Sequence, residues 1–225
     1  MQFKKCLAEF LMNPSILERK ERWAKKMAGQ GPRVLERSNE RLPPGQRLTN
    51  GFPVLDLGIQ PDVPLSEWSL ELSGEVDEPI KLSWDDFSRL PRFEDVSDFH
   101  CVTTWSKFDC RWSGVAFFTL VDLLKPRADV STLLIRSYDG YSTNVPFEPC
   151  LDDDVLIATH LNGQPLSREH GGPARMIVPK LYAWKGAKFV RSIEFRSSLV
   201  RGYWEQRGYS DYGDPWTDDR FQQSR

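Results

Sequence analysis

From Glu67 onward the chain alternates. In EWSLELSGEV, Trp68, Leu70 and Leu72 fall on one side and Ser69, Glu71 and Ser73 on the other, the period-two pattern of a half-buried strand. The same reading predicts strands in STLLIRS, in STNVP after a D-G turn, and in DVLIATHL before an N-G turn. ARMIVP and KFVRSIEF complete the set. Helical patterns are fewer. LSWDDFSRLP predicts a short helix capped by Ser83 and ended before Pro91, and GVAFFTLVDLLKP a mostly apolar helix stopped by Pro126. Strands without a strand–helix–strand rhythm predict an α+β fold with a mixed or antiparallel sheet.

The first 47 residues differ in texture. They hold 11 Lys/Arg against 5 Asp/Glu, and SILERKERWAKKMAGQG predicts one helix capped by Ser15 with Glu18 completing a capping box. Its apolar face of Ile16, Trp23 and Met27 is thin. That suits a helix packed by one edge, with a membrane-surface or partner-docking role as the alternative. RLPPGQRLTNGFPVLDLG is too rich in Pro and Gly for a regular element. The organisation expected is a basic helix and arm over residues 1–47 and one domain over 48–225.

Composition narrows the function classes. With 225 residues, 40% hydrophobic, and eight tryptophans, the chain can build a sizeable core with well-formed pockets. A formal net charge of -2 argues against nucleic acid as a partner. No apolar run is long enough to span a bilayer. The N-terminal sequence shows no export signal, and the four scattered cysteines suit a reducing compartment, so a cytoplasmic location is expected.

Chemistry concentrates in two segments. The first is DFHCVTTWSKFDCRWSGV, with Cys101 between His100 and Thr103-Thr104-Trp105. Cys101 is open to four readings there: core packing, a zinc ligand, a nucleophile, or a ligand to another metal. The Cys101–Cys110 spacing does not fit a zinc knuckle, and adjacent strand side chains such as His100 and Cys101 face opposite ways. The second is HGGPARMIVPKLYAWKGAKFVRSIEFR, where six Lys/Arg and one acid are interleaved with glycines, a pattern suited to cradling a phosphate or other polyanion.

In order, HCVTTWSKFDCRWSGV, DGYSTNVP and LNGQPLSREHGGPARMIVPKLYAWKGAKFVRSIEF resemble the sulfite oxidase-like molybdenum oxidoreductases over residues 45 to 215. The short single-domain subgroup, similar to the catalytic subunit of methionine sulfoxide reductases, is the nearest in pattern. The resemblance implies a sulfite oxidase-type domain that binds molybdopterin with molybdenum and carries out oxygen-atom transfer. It implies Cys101 as the metal's one protein ligand and Tyr141 as an active-site tyrosine. Asn50, Thr104, Asp139, Thr143, His170, Arg175, Gly186, Ala187 and Lys188 fall at cofactor-contacting positions, with Trp105 lining the metal pocket. Cys110, nine residues on, is expected in a loop with a structural role.

The departures from the family matter equally. Sulfite oxidases crowd arginines after the cysteine, whereas Val102, Thr103, Thr104 and Trp105 stand here. A neutral or weakly charged small-molecule oxide, an S-oxide or N-oxide, is therefore the expected substrate. Sulfite oxidation and a non-catalytic molybdopterin-binding role are the alternatives. Without a haem-binding segment, electrons are expected from a separate partner, for which the basic N-terminal helix is a candidate docking surface.

Overall fold

A computed structural model describes residues 40–222. The helix predicted over residues 15–31 lies outside the described residues. By backbone proximity the chain divides after Glu40, and all that follows concerns the compact unit beginning at Arg41.

Two sheets build this unit. The strands are β1 (Arg47–Leu48), β2 (Ser69–Gly74), β3 (Ile80–Ser83), β4 (Arg92–Cys101), β5 (Trp105–Ala116), β6 (Thr132–Ser137), β7 (Ser142–Pro146), β8 (Leu156–Leu161), β9 (Gln164–Pro165), β10 (Arg175–Ile177) and β11 (Val190–Arg196). The helices are α1 (Trp84–Ser88) and α2 (Phe117–Leu124). One sheet runs β1-β5-β8-β10, with β4 also on β5 and β9 on β8; the other runs β3-β2-β11-β6-β7. Each is antiparallel apart from one parallel pair, β1 with β5 and β2 with β11. The mixed-sheet α+β expectation is met.

The alternation seen in the sequence is the reason β2 packs as it does. Leu70 and Leu72 are wholly buried, while Glu71 points to solvent. Ile193 and Phe195 of β11 and Leu133 and Ile135 of β6 bury the same face of that sheet. In the other sheet Trp112, Leu156, Ile157 and Met176 are wholly buried, with the consecutive Leu156 and Ile157 on opposite faces. A fully buried side chain of this kind contributes about 1.5–3 kcal/mol. The helix α1 starts as predicted, with Ser83 and Asp86 forming a reciprocal capping box.

The apolar helix is shorter than predicted. Gly114, Val115 and Ala116 belong to β5, and α2 begins only at Phe117. Gly114 explains the difference: it lies so close to β8 that a Cβ there would stand 1.9 Å from the Ile157 carbonyl oxygen. Only a residue without a side chain lets the two strands pair at that point.

The cysteine stretch is a long hairpin, β4 and β5, whose turn spans Cys101 to Thr104. The Thr104 N–H donates to the Cys101 carbonyl at 3.1 Å, and Cys101 pairs across the turn with Trp105. Thr104 takes φ +71°, the left-handed position that closes three-residue hairpin loops and more often holds glycine. Cys110 therefore sits inside a strand, completely buried, and not in a loop.

Candidate functional site

The turn of the β4–β5 hairpin opens into a cavity of about 370 Å³, within the range of small-molecule and cofactor sites. Its lining is drawn from five parts of the chain. The hairpin gives Phe99, Cys101, Val102, Thr103 and Trp105; the loop before β2 gives Phe52, Pro53, Leu55, Asp56 and Leu57; the D-G turn gives Asp139 and Tyr141. The basic segment gives His170, Arg175, Trp184, Gly186 and Lys188, and the C-terminal arm Trp204 and Tyr209.

Cys101 is 6% exposed. Burial pushes its thiol above the usual range. Hydrogen bonds from Thr103 and the nearby charges of Arg175 and Lys188 pull the other way. His100, next in sequence, turns away from the sulfur, and its Nδ1 lies 2.9 Å from the Ser106 hydroxyl. Among the described residues no three His, Cys, Asp or Glu side chains gather to hold a metal unaided. The zinc reading has no ligand set there.

Arg175 is the cavity's most constrained group. It is 2% exposed, lies over the Phe99 and Trp112 rings at 5.2 and 5.7 Å, and donates to the carbonyls of His170 and Gly186 at 3.0 and 3.4 Å. Burial pushes its pKa down to about 10, so the guanidinium stays charged at neutral pH. Among the described residues it has no carboxylate partner, and its Nε is buried with no hydrogen bond. Lys188 carries the second charge. Its Nζ donates to the Glu169 carbonyl at 2.6 Å, and desolvation with the repulsion of Arg175 pushes its pKa down to about 8.

The six cations of the basic segment thus divide. Arg175 and Lys188 face the cavity. Lys180 pairs with Asp152, Arg196 with Glu194, and Arg191 lies over the Tyr138 ring. Lys185, wholly buried, pairs with Glu205 at 2.8 Å. A single polyanion cradle built from all six is corrected to a two-cation site, because net charge along a sequence does not record which cations already have partners.

The other predicted site residues also divide. His170, Asp139, Tyr141 and Gly186 line the cavity with Cys101, Arg175 and Lys188. Burial raises the Asp139 carboxyl and lowers His170. The Tyr141 hydroxyl already donates to the Trp184 carbonyl at 2.6 Å, and burial raises it well above the usual phenol range. Asn50 is exposed and is not on the wall; its carbonyl accepts from Lys107. Phe52, two residues on, takes the inward place and stacks on His170 at 4.6 Å. Thr104 gives its hydroxyl to the Thr103 carbonyl, and Thr103 is the threonine that lines the cavity. Thr143 is buried behind the wall, donating to Glu205 at 2.8 Å, and Ala187 is buried with its carbonyl bonded to the Met176 N–H.

Phe52, Thr103, Trp184, Trp204 and Tyr209 are lining residues that sequence reasoning did not single out. Trp204 and Tyr209 arrive from far along the chain, held by Glu205. One oxygen of its carboxylate accepts from Thr143, from the Trp184 indole at 3.0 Å, and from Lys185.

The arrangement fits a bulky anionic cofactor with a soft metal. It offers one buried thiol, the two cations Arg175 and Lys188, an orphaned guanidinium N–H, and a largely aromatic and aliphatic wall that also carries the Asp56 and Asp139 carboxylates. A soft thiolate is the ligand type that favours a covalent metal–sulfur bond.

Comparisons with known proteins agree. The family model for the oxidoreductase molybdopterin binding domain matches residues 57–204. The uncharacterized oxidoreductase YuiH of Bacillus subtilis is 40% identical over 185 residues, covering 80% of this chain and 92% of that protein. The protein-methionine-sulfoxide reductase catalytic subunit MsrP of Campylobacter jejuni is 28% identical, covering 65% of this chain and 54% of the relative. The chain therefore spans about half the length of that reductase. Among solved structures, the sulfane dehydrogenase SoxCD of Paracoccus pantotrophus aligns with a TM-score of 0.56 at 23% identity, over 63% of this chain and 41% of that one. At that identity the likeness is one of fold.

Proposed function

Since the chain belongs to the oxidoreductase molybdopterin binding domain family, with molybdenum-bearing molybdopterin as its cofactor, we propose that it removes oxygen from a neutral S-oxide or N-oxide. The electrons come from a separate partner. The observation that carries this reading is the lining of the cavity. Its basic side chains, His170, Arg175 and Lys188, all come from the 170–188 segment, and around them stand Phe52, Trp105, Tyr141, Trp184, Trp204 and Tyr209. With those cations engaged by an anionic cofactor, the wall left for substrate is mostly aromatic and aliphatic, and its remaining charged groups are the carboxyls of Asp56 and Asp139; it suits a neutral oxide and gives a dianion no counter-charge. The names of reductase relatives such as MsrP support the same direction.

In this reading Cys101 holds the metal. The molybdenum, when bound, supplies the two-electron chemistry and the exchange of an oxygen atom. The overall reaction takes two electrons and two protons per oxide and releases the reduced substrate and water. The chain's residues bind and orient. Arg175 and Lys188 face the cofactor's negative charge, and His170, held by Phe52, and the backbone at Gly186 flank it. Tyr141 braces Trp184 through its hydroxyl instead of offering that hydroxyl to substrate. A cytoplasmic location is kept as part of the proposal, supported by Cys110 and Cys150 both being free thiols.

Dye-linked assays on metal-loaded protein test the direction. Oxidation of a reduced viologen dye is expected on adding a dialkyl sulfoxide or an amine N-oxide, with little ferricyanide reduction on adding sulfite. Sulfite turnover exceeding oxide turnover, or no turnover of any oxide by loaded protein, would contradict the proposal.

A further inference from the structure

Cys101 does not face the cavity alone. The Thr103 hydroxyl oxygen lies 3.1 Å from the Cys101 sulfur. The turn that makes this approach is fixed by two hydrogen bonds onto the Cys101 carbonyl. The Thr104 N–H closes it onto the Cys101 carbonyl, and Thr104 adopts φ +71° to do so. The Gln46 side-chain amide, buried, donates to the same carbonyl at 3.1 Å. Gln46 is itself flanked by the Tyr182 hydroxyl at 3.4 Å and accepts from Ser106 at 3.4 Å. The Thr104 hydroxyl is spent on the Thr103 carbonyl at 2.6 Å and does not compete for the sulfur.

In the free thiol either atom can donate. A sulfur bonded to a metal has lost its proton, so there only the hydroxyl can donate. We propose that Thr103 donates a hydrogen bond to the Cys101 thiolate when that thiolate ligates molybdenum, and thereby weakens its donation to the metal. The inference rests on the reading of Cys101 as the metal ligand. Thr103 is a positioning and tuning residue acting through Cys101. Hydrogen bonds to ligating sulfurs withdraw electron density, stabilise the electron-rich state of the metal and raise its reduction potential.

The test uses the metal-loaded full chain as wild type, Thr103→Val and Thr103→Ser, with Thr103→Ala as a second donor-free variant should valine's branching disturb loading. Three quantities are measured: molybdenum per chain, the sulfur-to-metal charge-transfer absorption, and the potential at which the paramagnetic molybdenum signal appears in a redox titration. The expected result is unchanged metal content, with the band moved to longer wavelength or otherwise displaced and the potential lowered in Val and Ala. Ser should restore both towards wild type. A donor-free variant with wild-type band and potential overturns the proposal, and so does a Ser variant that shifts as far as Val. The underlying reading fails separately, if loaded Cys101→Ser keeps the wild-type band and signal.

Discussion

Glu205→Gln should destabilise the fold by about 3 kcal/mol or more, because it leaves a buried ammonium without its counter-charge. Lys185 and Glu205 are 0% and 1% exposed. Beyond the Glu205 carboxylate, Lys185 has only neutral partners, the carbonyls of Asn144 and Asp211 and the Asn144 side chain. Desolvation already lowers the pKa of Lys185, and the Coulomb attraction and hydrogen bond of Glu205 hold it up. Taking that charge away forces the lysine to lose its proton or to stay charged in a poorly solvating interior. The same carboxylate oxygen binds Thr143 and the Trp184 indole, so the loss extends to the cavity wall. Urea denaturation should show a lower midpoint with an unchanged slope. Adding Lys185→Met should recover much of the stability, since it removes the stranded charge. A single variant losing under about 1 kcal/mol, on the scale of an exposed ion pair, would contradict this account.

Arg175→Gln should separate stability from cofactor retention. The guanidinium is buried without a carboxylate and with one unbonded N–H, an arrangement that costs the cofactor-free chain free energy. The uncharged amide should leave cofactor-free protein as stable as wild type or more so. Cofactor occupancy should fall at least tenfold, because hydrogen bonds from a charged donor contribute about 1.5–3 kcal/mol each. Thermal melts of cofactor-free protein together with pterin and molybdenum analysis of loaded protein check both halves. A variant that binds cofactor normally would remove Arg175 from the site. One that loses stability in the cofactor-free state would make it structural.

How far the sequence revealed this molecule depended on locality. Strand β2 was legible because Trp68, Leu70 and Leu72 alternate without interruption and bury one face. The β4–β5 hairpin was not, because its register shifts between Ser97 and Phe99, and a one-residue shift reverses the inward phase. Buried Asp95 further breaks the apolar pattern of β4. At the site, Cys101, His170, Arg175 and Lys188 were found because their motifs are contiguous. Thr103 and Thr104 were interchanged because only the backbone dihedral of Thr104 shows which one closes the turn. Lys185 read as one more cation of the cradle because its partner, Glu205, lies 20 residues away. Trp204 and Tyr209 depend on that same distant contact, which no periodicity announces.

The central claim is that Cys101 holds molybdenum in this cavity. The most direct measurement is elemental mass spectrometry of the chain purified from a host that makes molybdopterin, beside Cys101→Ser. The account predicts about one molybdenum per wild-type chain. In the serine variant the metal should be lost, or retained with an altered spectrum. Well-folded wild-type protein without molybdenum, or a serine variant with wild-type metal content and spectrum, would contradict it.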